Sequence, residues 1–189
     1  QFIQLHQHST CGREFDADHD DAAVALAEYR EHRYLINCIA YHKVDLCEDN
    51  FDRSFKINGQ LVMKLAQFCS NHNITLMHIS TDYVFDGEKD SPYTEDDVPN
   101  PASVYGLSKL SGEEKALANC PDAIIVRTQW LYGHGGINFI TKITQIAREQ
   151  GMAEVVNDQR GCPTYTKDLA EPIRLLIEQK RSGVYHVAN

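Results

Sequence analysis

Short apolar runs alternate with segments of helical periodicity along almost the whole chain, and this order most constrains its fold. The runs predict strands at Tyr34–Ala40, Ile74–Ile79 and Ala123–Val126. Mostly apolar runs of this kind are typical of strands that are buried on both faces of a sheet. Strands that alternate with helices through short connections predict an α/β fold, here a Rossmann-like, doubly wound parallel sheet.

Helices and the remaining strands complete this predicted order. Apolar side chains at helical spacing predict helices at Asp20–His32, Ile57–Phe68, Tyr105–Asn119, Ile137–Gln150 and Lys167–Gln179. Further short strands are predicted at Phe2–Leu5, Glu154–Val156 and Val184–Val187. A long loop from Tyr83 to Val104 contains Gly87 and several prolines. A loop of this length inside a compact domain usually has a function.

The composition is that of an ordinary globular protein. The chain has 189 residues, which suits one domain or one and a half, and 42% of them are hydrophobic and 24% charged. Its 18 basic and 27 acidic residues give a net charge of −9, which argues against nucleic acid as a partner. No apolar run approaches the ~18 residues of a membrane span, and the first residues lack the layout of a signal peptide. A membrane partner is therefore not expected.

The cysteines and histidines predict neither disulfides nor a metal site. The 6 cysteines are scattered without a C-x-x-C pair, which favours buried thiols in a reducing compartment and a cytoplasmic location. The segment from His6 to Cys11 contains residues that could bind a metal. A strand end that runs into a polar loop is the favoured interpretation, because no second ligand pair with zinc spacing is present.

Tyr105 and Lys109 form the pair with the clearest chemical meaning. At i and i+4 they share one helix face, with Cβ atoms roughly 5–6 Å apart. A lysine ammonium at that distance lowers the pKa of a phenol from about 10 and makes the tyrosine usable as a general acid. Such pairs also occur on ordinary solvated helices. Thr81, at the end of an upstream apolar strand, adds a hydroxyl that can polarise a substrate carbonyl.

Polar segments follow the ends of the predicted central strands. Ala40–Val44, Thr81–Tyr83 and Thr128–Trp130 each come directly after such a strand. In open parallel sheets, ligands bind beyond the carboxyl ends of the strands. The topology therefore predicts that these segments meet at one edge of the sheet and form the site.

Several blocks around these residues resemble one enzyme family. The segment from His78 to Gly87 reads HISTDYVFDG, and the segment from Tyr105 to Glu113 reads YGLSKLSGE. Further blocks follow the family order at Asn37–Asp45, Arg127–Trp130, Gly136–Phe139 and Val156–Thr164. On these blocks the chain resembles the dTDP-4-dehydrorhamnose reductases. These are extended short-chain dehydrogenases that reduce the 4-keto group of a dTDP-6-deoxyhexose with NADPH or NADH.

The resemblance implies roles for individual residues. Thr81, Tyr105 and Lys109 would form the catalytic triad, with Tyr105 as the general acid that protonates the developing alkoxide. Lys109 would also bind the nicotinamide ribose. Other cofactor contacts are implied at Asp16, Ala40 and Tyr41. Contacts to the sugar nucleotide are implied at Val44, Asp82, Tyr83, Trp130, Asn138, Asn157, Gln159 and Thr164. The alternatives are a core aromatic at Trp130 and a simple turn at Asn157.

The family pattern also implies how the chain is divided. Residues 1–128 match an N-terminally incomplete dinucleotide-binding domain, and residues 129–189 match part of a substrate-binding region that is interleaved with it. The family's first strand and Gly-rich turn have no counterpart, since neither Gly12 nor Gly59 is that motif. We therefore expect a piece of a longer protein. The second strand ends without an acid for a free ribose hydroxyl, and Arg13 follows, which favours NADPH over NADH.

The implied activity is reduction of dTDP-4-dehydro-6-deoxy-L-mannose (dTDP-4-dehydrorhamnose) to dTDP-L-rhamnose for polysaccharide synthesis. A UDP-sugar or another 4-keto sugar is an alternative substrate, and a homodimer is one candidate state. A function from another class is a non-catalytic regulatory subunit like the β subunit of methionine adenosyltransferase, which shares the scaffold. Trp130 and the block from Asn157 to Gln159 favour the reductase. Thr81, Tyr105 and Lys109 argue against an inactive remnant.

Overall fold

The computed structural model describes residues 2–3, 5–6, 13–18, 21–134 and 138–189. Among these residues the strands are β1 (Phe2–Ile3), β2 (Leu5–His6), β3 (Arg13–Glu14), β4 (Tyr34–Asn37), β5 (Thr75–Thr81), β6 (Ile124–Thr128), β7 (Leu131–Tyr132), β8 (Thr164–Tyr165) and β9 (Gly183–His186). The main sheet has the order β1-β4-β5-β6-β9, and every neighbouring pair in it is parallel. The predicted parallel α/β sheet is therefore confirmed.

Helices separate most of these strands along the chain. The α-helices in the described residues are α1 (Ala22–Ala25), α2 (Val44–Asp49), α3 (Phe51–Phe55), α4 (Leu61–Asn71), α5 (Val104–Asn119), α6 (Phe139–Gln150) and α7 (Thr166–Glu178). A π-helical segment at Lys56–Gln60 joins α3 to α4. Within the described chain no helix is both long and apolar enough to cross a bilayer.

Hydrophobic clusters lie on both faces of the central strands. Leu76 and Ile125 belong to a cluster with Leu65 of α4, whereas Met77 and Ile124 belong to a cluster with Leu169 of α7. Successive side chains of a strand point to opposite faces, so the two neighbouring residues of each strand pack against different helices. The sheet is therefore covered on both faces, as in a doubly wound fold.

Some predicted element boundaries are wrong. Glu154–Val156 is not a strand, and two of its residues, Val155 and Val156, are exposed large hydrophobics. The short strand of this region is β8, which pairs with β7. Strands of two residues, such as β7 and β8, are too short to show an alternation of apolar and polar residues in the sequence.

The segment predicted as one strand at Phe2–Leu5 is divided between the sheets. Phe2–Ile3 pairs with β4 as β1, while Leu5–His6 pairs with Arg13–Glu14 as β2. The predicted strand Tyr34–Ala40 ends earlier, at Asn37. The side chain of Asn37 accepts a hydrogen bond from the backbone N–H of Ile39 at 3.1 Å, which turns the chain out of the sheet.

The predicted helix Asp20–His32 is also interrupted. The carboxylate of Asp21 accepts hydrogen bonds from the N–H groups of Ala23 and Val24 at 2.8 and 3.3 Å and starts α1. The chain then continues as a 3₁₀ turn at Ala27–Tyr29. The predicted helix from Ile57 begins inside the π-helical segment, and α2 and α3 before it were not predicted.

The thiols do not all match their predicted burial. Cys47, Cys69 and Cys120 are buried, as predicted, but Cys38 and Cys162 are exposed. Cys38 follows the end of β4 at the sheet edge, and Cys162 lies in the loop before β8. Cys11 lies outside the described residues.

Gly112 allows α5 to pack closely against the π-helical segment. A Cβ atom at Gly112 would lie 2.2 Å from the backbone oxygen of Asn58. We expect Gly112→Ala to lower the free energy of unfolding by about 1–3 kcal/mol, because the helix must move to accept the methyl group. Gly59→Ala is the matched control, since its Cβ would meet nothing closer than Ser111 Oγ at 3.5 Å. Equal denaturation midpoints for the two variants would contradict this packing.

Candidate active site

Tyr105 is placed at the carboxyl end of β5 by the start of α5. The helix begins after Ser103, whose hydroxyl accepts a hydrogen bond from the N–H of Gly106 at 3.1 Å. A Cβ atom at Gly106 would lie 2.1 Å from the backbone oxygen of Tyr83. Only glycine therefore lets the first turn of α5 approach the segment that follows β5. This contact brings Tyr105 beside Thr81.

Thr81 and Tyr105 carry the two hydroxyl groups that are predicted to act on the substrate. The Thr81 hydroxyl donates to Asp82 Oδ1 at 3.0 Å and accepts from the Tyr83 N–H at 3.2 Å. Burial raises the pKa of Tyr105 to about 12, although its side-chain hydrogen bond with Thr81 acts in the opposite direction. The ring of Tyr83 meets that of Tyr105 edge-on at 5.6 Å between centroids. Tyr105 thus carries its proton at neutral pH.

Lys109 lies one turn after Tyr105 and is 1% exposed. Its Nζ donates to the backbone oxygen of Ile79 at 2.6 Å and lies 3.2 Å from His78 Nε2. Burial lowers the pKa of Lys109 to about 8. The expectation that Lys109 lowers the pKa of Tyr105 is wrong for this structure, because burial of the phenol dominates. The amino group of Lys109 is directed to the backbone oxygen of Ile79 and to Nε2 of His78.

A buried ion pair supports the same helix. Arg127 of β6 and Glu113 of α5 are both buried, and Arg127 Nη2 lies 2.7 Å from Glu113 Oε2. Arg127 Nε is 3.1 Å from each oxygen of that carboxylate, and Ser80 Oγ donates to Oε1 at 2.5 Å. A paired guanidinium and carboxylate with additional hydrogen bonds fix α5 relative to β5 and β6. Neither residue of this pair was predicted from the sequence to have a structural role.

Ala40 and Tyr41 follow β4 at the same edge of the sheet. The N–H of Tyr41 donates to Asn58 Oδ1 at 2.8 Å, and Asn58 Nδ2 donates back to the Tyr41 oxygen at 3.0 Å. The same amide donates to Ser108 Oγ of α5 at 2.9 Å. Asn58 therefore ties the backbone beside Ala40 to the helix of Tyr105 and Lys109. Sequence reasoning missed Asn58, whose only signal is a polar residue beside the apolar positions of a helical segment.

Asp16 lies near this loop. Its carboxylate accepts a hydrogen bond from the N–H of Asp18 at 2.9 Å, and its charge helps to raise the pKa of Arg53. The guanidinium of Arg53 lies 4.9 Å from the centroid of the Tyr41 ring and pairs with Asp18 at 2.5 Å. The structure thus groups Asp16 with Tyr41 and adds Arg53, which was not predicted.

Three predicted substrate residues belong to neighbouring segments. Asp82 and Tyr83 follow Thr81 in the chain, and Val44 is the first residue of α2. Burial raises the pKa of the Asp82 carboxyl. The pKa of Tyr83 is raised by burial and by the charges of Asp82 and Asp45, and Asp45 follows Val44 at the start of α2. Asp82 and Tyr83 therefore lie beside Thr81, and α2, which begins at Val44, is close enough for its Asp45 to act on Tyr83.

Trp130 has an unusual backbone conformation. Its φ is +44°, in the left-handed region that is uncommon for large side chains, and the residue is 39% exposed. A Cβ atom at Gly161 would lie 2.9 Å from Trp130 Cε2, and the N–H of Thr164 donates to the Trp130 oxygen at 3.2 Å. The turn after β6 therefore holds the indole over the segment that contains Gly161. An exposed, constrained indole is available to a ligand.

The other predicted substrate residues differ in their surroundings. Asn138 caps α6, with Oδ1 accepting from the Thr141 N–H at 3.1 Å and Nδ2 donating to the Gly133 oxygen at 3.3 Å. Thr164 is buried, and its hydroxyl donates to the Cys162 oxygen at 3.2 Å. Asn157 and Gln159 are exposed. Among the described contacts, no hydrogen bond connects either of these last two to Thr81 or Tyr105.

Thr128 is a further hydroxyl that sequence reasoning left without a role. It lies opposite Thr81 in the β5–β6 register. The residue is buried, and its Oγ1 has no hydrogen-bond partner in the part of the chain that the structure describes. A buried hydroxyl without a partner is unusual and is available to a bound group.

Metal ligands do not cluster in the described residues, where no group of three or more His, Cys, Asp or Glu could hold an ion. The candidate segment from His6 to Cys11 lies largely outside those residues, and so do the side chain of Arg13 and the end of the second predicted strand. The predictions that rest on them stay predictions.

The chain is similar to several known proteins. The spore coat polysaccharide biosynthesis protein SpsK of Bacillus subtilis is 43% identical over 155 residues, which are 82% of this chain and 54% of that protein. A dTDP-4-dehydrorhamnose reductase structure from Clostridium acetobutylicum has a TM-score of 0.83 and 39% identity, covering 88% of this chain and 60% of its own. The Bacillus anthracis reductase in complex with NADP also gives 0.83 and 39%, with coverages of 87% and 58%.

The chain thus spans less than two thirds of the length of each of these relatives, at 54%, 60% and 58%. The family described as RmlD substrate binding domain matches residues 3–189. That match includes the strand end with Thr81, the helix with Tyr105 and Lys109, and the turn with Trp130. The chain therefore belongs to the RmlD substrate binding domain family.

Proposed function

We propose that this chain carries the active site of an NADPH-dependent reductase of a nucleotide-linked 4-keto sugar. The proposed reaction is reduction of dTDP-4-dehydrorhamnose to dTDP-L-rhamnose. The observation that carries the proposal is the placement of the Thr81 and Tyr105 hydroxyl groups at the end of a parallel strand, one helical turn before a buried lysine. Thr81 is close enough to act on the pKa of Tyr105. Similar structures named as dTDP-4-dehydrorhamnose reductases support the choice of substrate.

Each member of the pair has a separate task. Thr81 would turn its single hydroxyl hydrogen from Asp82 Oδ1 to the carbonyl oxygen of the substrate and so polarise that carbonyl. Tyr105 gives its proton to the alkoxide that forms at that oxygen, and the raised pKa of the phenol keeps this proton in place before reaction. Lys109 lies one helical turn from Tyr105, and its protonated form supplies positive charge to the site.

The residues at this edge fit a dinucleotide. The Tyr41 backbone is held by Asn58 at the end of β4, and Asp16, Arg53 and Tyr41 form a polar and aromatic group beside it. Asp16, Ala40, Tyr41 and Lys109 would hold the cofactor. NADPH supplies a hydride to the keto carbon when bound. A related reductase structure in complex with NADP supports NADPH as the cofactor.

The sugar nucleotide would lie between the Thr81–Tyr105 pair and Trp130. Val44, Asp82 and Tyr83 line one side of this path, and Trp130 can cover an apolar sugar face on the other. Asn138, Asn157, Gln159 and Thr164 are retained as proposed contacts. The existing hydrogen bonds of Asn138 and Thr164 favour a supporting role, in which they shape the segment that meets the nucleotide.

Trp130→Ala is expected to weaken binding of the dTDP-sugar by about tenfold, equivalent to about 1.4 kcal/mol. Binding of NADPH should change little, because the proposed cofactor residue Tyr41 follows β4, whereas Trp130 follows β6. Titration calorimetry with each ligand measures both. Phe139→Ala is the control, since it removes another exposed aromatic ring, 66% exposed, to which no role is given. Equal losses for the two ligands would assign Trp130 to the core.

The division of the chain, its assembly and its location are proposed from the same family pattern. Residues 1–128 would contribute the dinucleotide-binding domain and residues 129–189 the substrate-binding region, which returns to the sheet through β9. A homodimer is proposed, and analytical ultracentrifugation tests it by mass. A cytoplasmic location is proposed because NADPH and dTDP-sugars are cytoplasmic metabolites.

The test of the function is NADPH oxidation with matched 4-keto sugars linked to dTDP or UDP. We expect turnover with dTDP-4-dehydrorhamnose and a lower kcat/KM with the UDP analogue. Turnover with neither sugar, together with tight NADPH binding, would instead support a non-catalytic dinucleotide-binding subunit.

A further inference from the structure

His78 is a buried histidine of β5 for which the proposed reaction has no direct use. It is 0% exposed, yet both of its ring nitrogens have partners. Nδ1 lies 2.9 Å from Asn37 Nδ2, and Nε2 lies 3.2 Å from Lys109 Nζ. Asn37 and His78 are register partners in neighbouring strands. The imidazole therefore connects the interior of the sheet to the lysine of the site.

The amide of Asn37 fixes which ring nitrogen carries the proton. Asn37 Oδ1 accepts a hydrogen bond from the Ile39 N–H at 3.1 Å, so its NH₂ group faces the imidazole of His78. An amide NH₂ can only donate, and Nδ1 must then accept. We assign the neutral ring as the tautomer with its hydrogen on Nε2.

That tautomer places two donors opposite each other. The Nε2–H of His78 is directed at Lys109 Nζ, and an ammonium also can only donate. A neutral amine satisfies this geometry, because its lone pair accepts from Nε2–H while one of its own N–H groups donates to the Ile79 oxygen. The contact therefore favours the uncharged form of Lys109 over the charged form and lowers the proton affinity of its amine.

Charged and titratable groups around the pair come from each element packed against it. Cys38 follows β4, Glu113 lies one turn further along α5 with Arg127 of β6 beyond it, and both Cys38 and Glu113 act to raise the pKa of Lys109. Burial acts more strongly and lowers it. The pKa of His78 is lowered by burial and by the charge of Lys109, so the ring stays neutral.

We propose that His78 is a positioning residue that lowers the proton affinity of Lys109 and holds its Nζ against the Ile79 carbonyl. This role rests on the proposed reductase function of the same site. Asn37 acts through His78 by fixing the tautomer. The consequence is that the imidazole sets the pH at which the site loses its positive charge.

The first test needs no substrate and no variant. Nitrogen-15 NMR of the wild-type protein with labelled histidine reports the tautomer of His78. We expect an unprotonated Nδ1 and a protonated Nε2. A ring that carries its hydrogen on Nδ1 would overturn the proposal, because Nε2 would then accept from a charged Lys109 and raise its proton affinity.

The second test is the titration of Lys109. In His78→Gln the side-chain carbonyl can accept from an ammonium, so the midpoint should rise by about one pH unit, or about tenfold in proton affinity. Carbon-13 NMR of labelled lysine measures it, with Lys109 assigned through Lys109→Met. Met77→Leu is the control, since it alters the opposite face of β5 at nearly constant volume. Equal midpoints in wild type and His78→Gln would reject the role of His78.

Turnover separates this inference from the function on which it rests. The alkaline limb of kcat/KM should move upward in His78→Gln by the same amount as the Lys109 midpoint, and Met77→Leu should leave it in place. If the Lys109 titration midpoint shifts in His78→Gln but the alkaline limb of kcat/KM does not, the charge of Lys109 does not control turnover, and this part of the proposal is contradicted. Absence of turnover in every form would reject the reductase, while the NMR results would still decide the arrangement of protons.

Discussion

Replacing Tyr105 by phenylalanine is expected to lower kcat by about 10²–10⁴, the usual contribution of a general acid. The phenol is partly buried near Thr81, and its pKa of about 12 keeps it protonated over the whole physiological range. Phenylalanine preserves the ring that meets Tyr83 but removes the proton. Substrate binding should therefore change little, and the loss should lie in kcat.

Steady-state kinetics and binding measurements with Tyr105→Phe test this directly. Tyr29→Phe is the matched control, because it removes a phenol from a residue that packs against the core outside the site. We expect near-normal kcat for the control. Near-normal kcat for Tyr105→Phe would remove Tyr105 from the reaction, and a loss confined to KM would make it a binding residue.

Removing the carboxylate of Glu113 should produce the largest loss of stability. Glu113→Ala leaves Arg127 buried without its partner, and breaking a buried ion pair in this way lowers the free energy of unfolding by about 3–5 kcal/mol. Ser80 would also lose the acceptor of its hydrogen bond. Because Glu113 lies one turn after Lys109, the end of β5 should loosen together with α5.

Chemical denaturation of Glu113→Ala and Glu114→Ala provides the comparison. Glu114 is the next residue of the same helix and is exposed, so its removal should change the stability by at most about 0.5 kcal/mol. The double variant Glu113→Leu/Arg127→Met should recover much of the loss, since neither charge is then buried alone. A similar midpoint for both single alanine variants would show that the buried pair contributes little.

Much of the sheet could be predicted because its signal is local. The apolar runs that became β4, β5 and β6 identify the central strands, and their alternation with helices predicts the parallel order. The same topology places Thr81 and Tyr105 at one sheet edge. Strands and helices with a clear apolar pattern over many residues are predicted correctly, because tertiary contacts do not change their secondary structure.

The features that the sequence predicted wrongly or not at all depend on contacts between residues that are distant in the chain. The pKa of Tyr105 is set by burial, which the spacing of Tyr105 and Lys109 does not reveal. Asn58 acts through the backbone of Tyr41, and Asn37 acts through His78 of the neighbouring strand. In the sequence each of these is one polar residue in an apolar segment. Only the folded chain shows its partner.

The most direct measurement is NADPH oxidation by the purified protein when dTDP-4-dehydrorhamnose is added, with Tyr105→Phe measured in parallel. The proposed mechanism predicts NADPH consumption that requires the sugar, yields dTDP-L-rhamnose and falls by about 10²–10⁴ in the variant. A folded protein that binds NADPH and the dTDP-sugar but consumes no NADPH, or one whose turnover is unchanged by Tyr105→Phe, would contradict it.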